Sequence, residues 1–172
     1  MRPGPWSEAW YSLQLMRFAI PKGVFSVVKE IARHVLRRPV VGVVAAARTS
    51  DGKWLLVRRA DVGEWALAGG TLEWGETLRA CIMREVAEEA GIDRCEIVRL
   101  VGVFSRPERD RRFHAVTIVV ECRVEPPVRA PSNPLEITDV AFFSTQSLPR
   151  TLAMGMRDML DAALVAADPV VE

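Results

Sequence analysis

The sequence predicts an α/β domain preceded by a helical arm, on three observations. Runs of β-branched and apolar residues, bounded by turn signals, recur between Val40 and Val124, as strands of a buried sheet do. Two other stretches, one ending at Gly91 and one near the C-terminus, repeat their apolar residues at helical spacing. The first 38 residues differ from both in charge. They hold seven basic and two acidic side chains, a local charge of +5 that leaves −4 for the remainder.

The whole chain sets bounds on function. Its 172 residues fit one domain with a proper core, and 49% hydrophobic with 26% charged content is that of a soluble globular protein. A net charge of +1 argues against general polyanion binding, so no nucleic-acid partner is expected. Cys81, Cys95 and Cys122 are odd in number and lack CxxC spacing, which indicates neither a disulfide framework nor a zinc site. The first apolar stretch is broken by Arg17, Pro21 and Lys22, and nothing approaches a membrane span. A reducing cytoplasm is the expected compartment.

In chain order, Trp6–Ile20 and Gly23–Leu36 read as amphipathic helices split by Pro21. Val24, Val27, Val28, Ile31 and Val35 give the second an apolar face that wants cover. A helical arm over residues 1–38, packed on its own domain or on a second subunit of a homodimer, is therefore expected ahead of a domain over residues 39–172. A basic amphipathic helix on an anionic membrane is the less favoured reading. Val40–Ala47 reads as a buried strand, and Asp51-Gly52 as a turn into a second strand, Trp54–Arg59. Glu96–Phe104, His114–Val124 and a short run from Ile137 read as further strands, and Met154–Ala167 as a closing amphipathic helix.

Between the second and third strands lies a helix opening at Glu76 or Thr77, where a short polar side chain can cap, and stopping at Gly91. At roughly 100° per residue, Met83, Val86, Ala87 and Ala90 form an apolar stripe while Glu85, Glu88 and Glu89 share another face. Neighbouring carboxylates repel by about 1 kcal/mol per pair at 4 Å in water and by more in a dry cleft. Such a face is either solvated or held together by a cation. Hard oxygen donors suit Mg²⁺ or Mn²⁺, ions that also bind substrate phosphates.

The full spacing decides between the two. Gly70, Glu76, Arg84, Glu85, an apolar Val86, Glu88, Glu89, Gly91 and an apolar Ile92 stand as in the signature box of the Nudix hydrolases, which this stretch resembles position for position. The resemblance covers Val40–Ala167 and implies an α/β/α sandwich with a mixed β-sheet. It implies that Glu85, Glu88 and Glu89, with Gly70, hold a divalent metal, Mg²⁺ or Mn²⁺. Arg84 would orient a carboxylate, Glu76 would support the site, and Glu136 would match by place a loop glutamate that serves some relatives as base or ligand. Ala68 departs from the usual proline but removes no ligand.

The connection Ser105–His114 reads SRPERDRRFH and carries four arginines. Such a run is ordinarily a solvated loop. With Phe104 ahead of it, it resembles the FSxPxRDPRxH segment of ADP-ribose and nucleotide-sugar hydrolases, with Arg111 in place of the second proline. Pro107, fifteen residues beyond Ile92, points to the ADP-ribose pyrophosphatase branch. Guanidinium groups bind diphosphate through paired hydrogen bonds, so Arg109 and Arg112 are the preferred substrate contacts, with His114 and the strand-end Arg58 beside them. The expected reaction is hydrolysis of the diphosphate in ADP-ribose or a nucleoside diphosphate sugar to a nucleoside monophosphate and a sugar phosphate. A MutT-like hydrolase of nucleoside triphosphates and a nucleotide-sugar-binding sensor are the competing readings.

Overall fold

Val43–Ala47 is buried at every position, which a strand with alternating side chains achieves only when its sheet is covered on both faces. This strand, β1 (Val40–Arg48), is the centre of the sheet. The computed structural model describes residues 38–110, 113–126, 129–132, 134–165 and 168–172. The two arm helices expected over residues 1–38, and the expected substrate contact Arg112, lie outside them.

β1 pairs in parallel with β6 (Ala115–Val124), from Val40 opposite Ala115 to Arg48 opposite Arg123. It pairs antiparallel with β4 (Ala68–Thr71) and, at Arg48, with β2 (Trp54–Arg59). β5 (Cys95–Phe104) runs antiparallel to β6, and β8 (Val170–Val171) runs parallel to β5. β3 (Trp65–Ala66) and β7 (Ile137–Phe143) both pair with β2. The eight-stranded sheet is therefore mixed, as expected. Helix α1 (Leu78–Ala90) packs on β4 and β1, and helix α2 (Met156–Leu164) on β5 and β1.

The helix of the glutamates begins and ends where its capping residues require. Thr77 Oγ1 accepts a hydrogen bond from the Ala80 amide at 3.2 Å, and Gly91 closes α1 at φ +67°, a left-handed conformation that glycine adopts without strain. The buried face differs from the expected stripe. Met83 is 43% exposed, while Cys81, Ile82, Val86, Glu89 and Ala90 are buried. Positions 82, 85, 86 and 89 are spaced i, i+3, i+4 and i+7, so the stripe facing the sheet contains two of the three glutamates. A count of apolar residues alone missed this.

The closing helix is shorter than expected. A 3-10 turn, Ala153–Gly155, with Met154 at φ +53°, precedes α2, which ends at Leu164; residues 166–167 lie outside the described set. Strands β3, β4 and β8 were not anticipated. Away from these elements, Glu121, 3% exposed on β6, lies 2.6 Å from both Arg48 and Arg99, and Arg99 also donates to the Ala163 carbonyl at 3.1 Å. This buried charge is paired on both sides and ties the sheet to the end of α2. Among the described residues, no helix is long and apolar enough to cross a membrane.

Candidate active site

Strand β4 brings the loop of the signature against the helix that follows it. Gly69 pairs with Val44 and Gly70 with Val43. A Cβ on Gly69 would overlap the Val43 carbonyl oxygen and approach Val44 Cα to 2.8 Å, so only glycine lets β4 lie this close to β1. At Gly70 the space that a Cβ would fill holds the Glu85 carboxylate, with Oε2 at 2.9 Å. The glycine pair therefore makes room for a strand on one side and a carboxylate on the other.

Arg84 organises the acidic cluster. Its Nε and Nη2 donate to the two oxygens of Glu76 at 2.9 and 3.1 Å, and its Nη1 donates to Glu85 at 2.7 Å and lies 3.4 Å from Glu88. The paired hydrogen bonds hold the Glu76 carboxyl well below its usual range, at about 2. Glu85 moves the other way, because burial raises it more than Arg84 lowers it. Glu88 projects outward, its side chain 52% exposed.

Glu89 is the unusual member. It is 9% exposed and accepts the Gly69 amide at 2.9 Å. Burial pushes its carboxyl up to about 8; the Gly69 bond and Arg59 oppose that rise, while Glu85 and Glu136 add to it. Two half-buried or buried carboxylates thus face the sheet on one helix side, one of them held by the Arg84 guanidinium and the other by the Gly69 amide, with a third carboxylate largely in solvent. Among the described residues no three acidic, histidine or cysteine side chains converge on one point. Glu85 and Glu88 turn towards Arg84, and Glu89 towards the Gly69 amide.

The donor set nonetheless fits a hard divalent cation. The side-chain groups are all carboxylates, neighbouring carboxylate charge adds to the raised proton affinity of Glu85 and Glu89, and a cation relieves that cost.

A cavity of about 300 Å³ opens beside the glycine pair. Gly69, Gly70, Arg59, Arg109 and Asp110 are among its polar lining, and Phe113, Met154, Met156 and Met159 supply apolar wall. The strand pleat places Arg59 here. Arg58, one residue earlier, is exposed and donates through Nε to the Gly63 carbonyl at 3.0 Å, so the cavity receives Arg59 and not the expected Arg58. Arg59 itself is braced by Asp61 at 2.9 and 3.0 Å. Alternation along a strand is legible in sequence, but a register shift against β7 falls between Arg58 and Arg59 and obscures it.

The other expected contacts are placed as follows. Arg109 lines the cavity wall, yet its side chain is only 10% exposed and its guanidinium donates to the Gly155 carbonyl at 2.7 Å, Asp158 at 3.1 Å and Glu172 at 2.5 Å. His114 Nε2 lies 2.8 Å from the Ser105 carbonyl and ties the two ends of the Ser105–His114 loop. Glu136 is exposed in the turn before β7, where its carbonyl accepts the Ala60 amide at 2.7 Å.

Comparison with known proteins agrees with this geometry. The NUDIX domain family model matches residues 36–163. A MutT-like protein of Streptomyces ambofaciens is 35% identical over 127 residues, 72% of this chain and 78% of its own. An ADP-ribose pyrophosphatase of Methanocaldococcus jannaschii is 42% identical over 72 residues, 40% of this chain and 42% of its own length. Among solved structures, an ADP-ribose pyrophosphatase of Streptococcus suis superposes with a TM-score of 0.63 at 26% identity, covering 78% of this chain and 98% of that one. The chain belongs to the Nudix hydrolase family. It is a pyrophosphohydrolase of that class, and its reaction acts on small nucleotide substrates.

Proposed function

We propose that this enzyme hydrolyses the diphosphate bond of ADP-ribose or a nucleoside diphosphate sugar, giving a nucleoside monophosphate and a sugar phosphate. The observation that carries the reading is the cavity beside Gly69 and Gly70, whose wall is built partly from the Ser105–His114 loop. A diphosphate at the glycine pair leaves a bulky moiety on each phosphorus, and this apolar recess with a few polar groups at one end can take one of them. The likeness to two ADP-ribose pyrophosphatases supports the same substrate class.

Glu85, Glu88 and Glu89, with the Gly70 backbone, would hold Mg²⁺, or Mn²⁺ in its place. When bound, the ion neutralises diphosphate charge and makes water more acidic. The remaining work falls to the chain. Arg84 keeps Glu85 and Glu76 in fixed orientation, and Arg59 offers a guanidinium to the phosphate end of the cavity. A buried carboxyl whose proton affinity lies near neutral suits proton transfer from water, which favours Glu89 as the base; Glu136, which matches a relative's loop glutamate by place, is the other candidate. A MutT-like activity on nucleoside triphosphates is the second reading, supported by the longer match to the Streptomyces protein.

Chromatography of the ADP-ribose reaction tests the proposal. AMP and ribose phosphate should appear with Mg²⁺ and vanish with EDTA. An untouched substrate under both conditions would refute it.

A further inference from the structure

The last residues of the chain reach back across the sheet to the loop that walls the cavity. Gly102 makes this possible. A Cβ there would overlap the Val170 carbonyl oxygen, so glycine lets β8 lie against β5. The strand then delivers Glu172, whose own amide donates to the Val103 carbonyl at 3.0 Å.

The Glu172 carboxylate gathers five donors. Oε2 accepts the amides of Ser105 and Arg106, both at 2.9 Å, and Arg109 Nε at 3.2 Å. Oε1 accepts Arg106 Nε and Arg109 Nη2, each at 2.5 Å. Asp158 on α2 completes the network, 3.1 Å from Arg109 and 3.3 Å from Arg106. Arg109 also stacks over Phe104, its guanidinium carbon 5.3 Å from the ring centre. The guanidinium that the sequence offers to substrate phosphate is thus held by the protein itself. Four of its five N–H groups are engaged by Gly155, Asp158 and Glu172.

We propose that Glu172 is a positioning residue for the substrate. It acts through Arg106 and Arg109 to fix residues 105–110, and so sets the part of the cavity wall formed by Arg109 and Asp110. The inference rests on the cavity being the substrate recess. Two features separate it from simple stabilisation. The Glu172 bonds fall on Ser105, Arg106 and Arg109, directly ahead of Asp110, so what the carboxylate controls is that stretch of the wall. The strong depression of the Glu172 carboxyl, caused first by Arg109, agrees with a charge that works only when ionised.

Glu172→Gln removes that charge and keeps the size, and Glu172→Asp keeps the charge. Loss of one charge-assisted hydrogen bond corresponds to roughly a tenfold change in the equilibrium that it supports, here the ordering of the wall. The expected result for Glu172→Gln is a KM raised roughly tenfold with kcat within about twofold of wild type, and faster amide exchange in the peptide covering residues 100–110. Glu172→Asp should recover most of the change in KM. KM is measured on whichever nucleotide the wild type turns over best, so a preference for triphosphates would overturn the substrate reading above and leave this test standing. An unchanged KM in Glu172→Gln, with or without a lower melting temperature, would overturn the positioning role, as would unchanged amide exchange.

Discussion

Glu89→Gln should make the metal-free protein more stable and the enzyme nearly inactive. The carboxyl is 9% exposed and its proton affinity is raised from 4.5 to about 8. A group raised in the folded state favours folding fully below its unfolded value and loses that contribution as pH climbs through the folded one. The loss therefore runs between 4.5 and about 8, and at 1.36 kcal/mol per pH unit it has a ceiling of about 5 kcal/mol. Relaxation of the cleft and entry of water recover part of such a cost, so the expected gain for Glu89→Gln at pH 8 is about 2 kcal/mol. A glutamine oxygen still accepts the Gly69 amide. For a domain of this size the gain corresponds to roughly 4–8 °C in melting temperature.

The assay is thermal unfolding of both proteins in EDTA from pH 5 to pH 9. The two curves should nearly meet at pH 5 and separate as pH rises, with the variant above. Adding Mg²⁺ should narrow the gap by raising the wild type. A variant less stable than wild type at pH 8 in EDTA, or a difference that does not grow with pH, would refute the buried-carboxylate account.

Three further substitutions probe the site from other sides. Glu88→Gln removes the charge of the solvent-facing member of the proposed metal set, so turnover should fall on the order of a hundredfold with the melting temperature almost unmoved; near-normal activity would remove Glu88 from that set. Arg59→Ala should raise KM about tenfold while Arg58→Ala leaves it unchanged, and the opposite pattern would mean the cavity is not the substrate recess. Gly69→Ala places a methyl against the Val43 and Val44 backbone and should cost about 2–3 kcal/mol in urea unfolding. A cost below 0.5 kcal/mol, roughly that of an ordinary surface change, would show that β4 can move away from β1.

How much of this was legible in the sequence depended on the range of the interaction. The caps of α1 and the turn at Asp51-Gly52 are set by residues within four positions of one another, and both were read correctly; in the turn, Thr49 accepts the Lys53 amide at 3.1 Å and bonds Asp51. β2 was read with the observed ends and β1 to within one residue. The burial of Glu89 was not read, because counting apolar residues assumes that polar ones face water. Here the helix presents two carboxylates to the sheet, where burial raises the proton affinity of both. β4 was invisible for a different reason: Ala-Gly-Gly-Thr has no strand preference of its own, and pairs only because β1 accepts a backbone without side chains. Arg58 was preferred to Arg59 because the shift in register at the strand end cannot be seen without β7. Glu172 lies 63 and 66 positions from the arginines that it holds, a separation over which no local pattern speaks.

The substrate class is decided by kcat/KM for ADP-ribose and for dGTP, measured side by side with Mg²⁺. The expected value for ADP-ribose is at least about tenfold higher, the discrimination that one well-placed recess supplies. A higher value for dGTP would contradict it and assign the cavity to a triphosphate hydrolase.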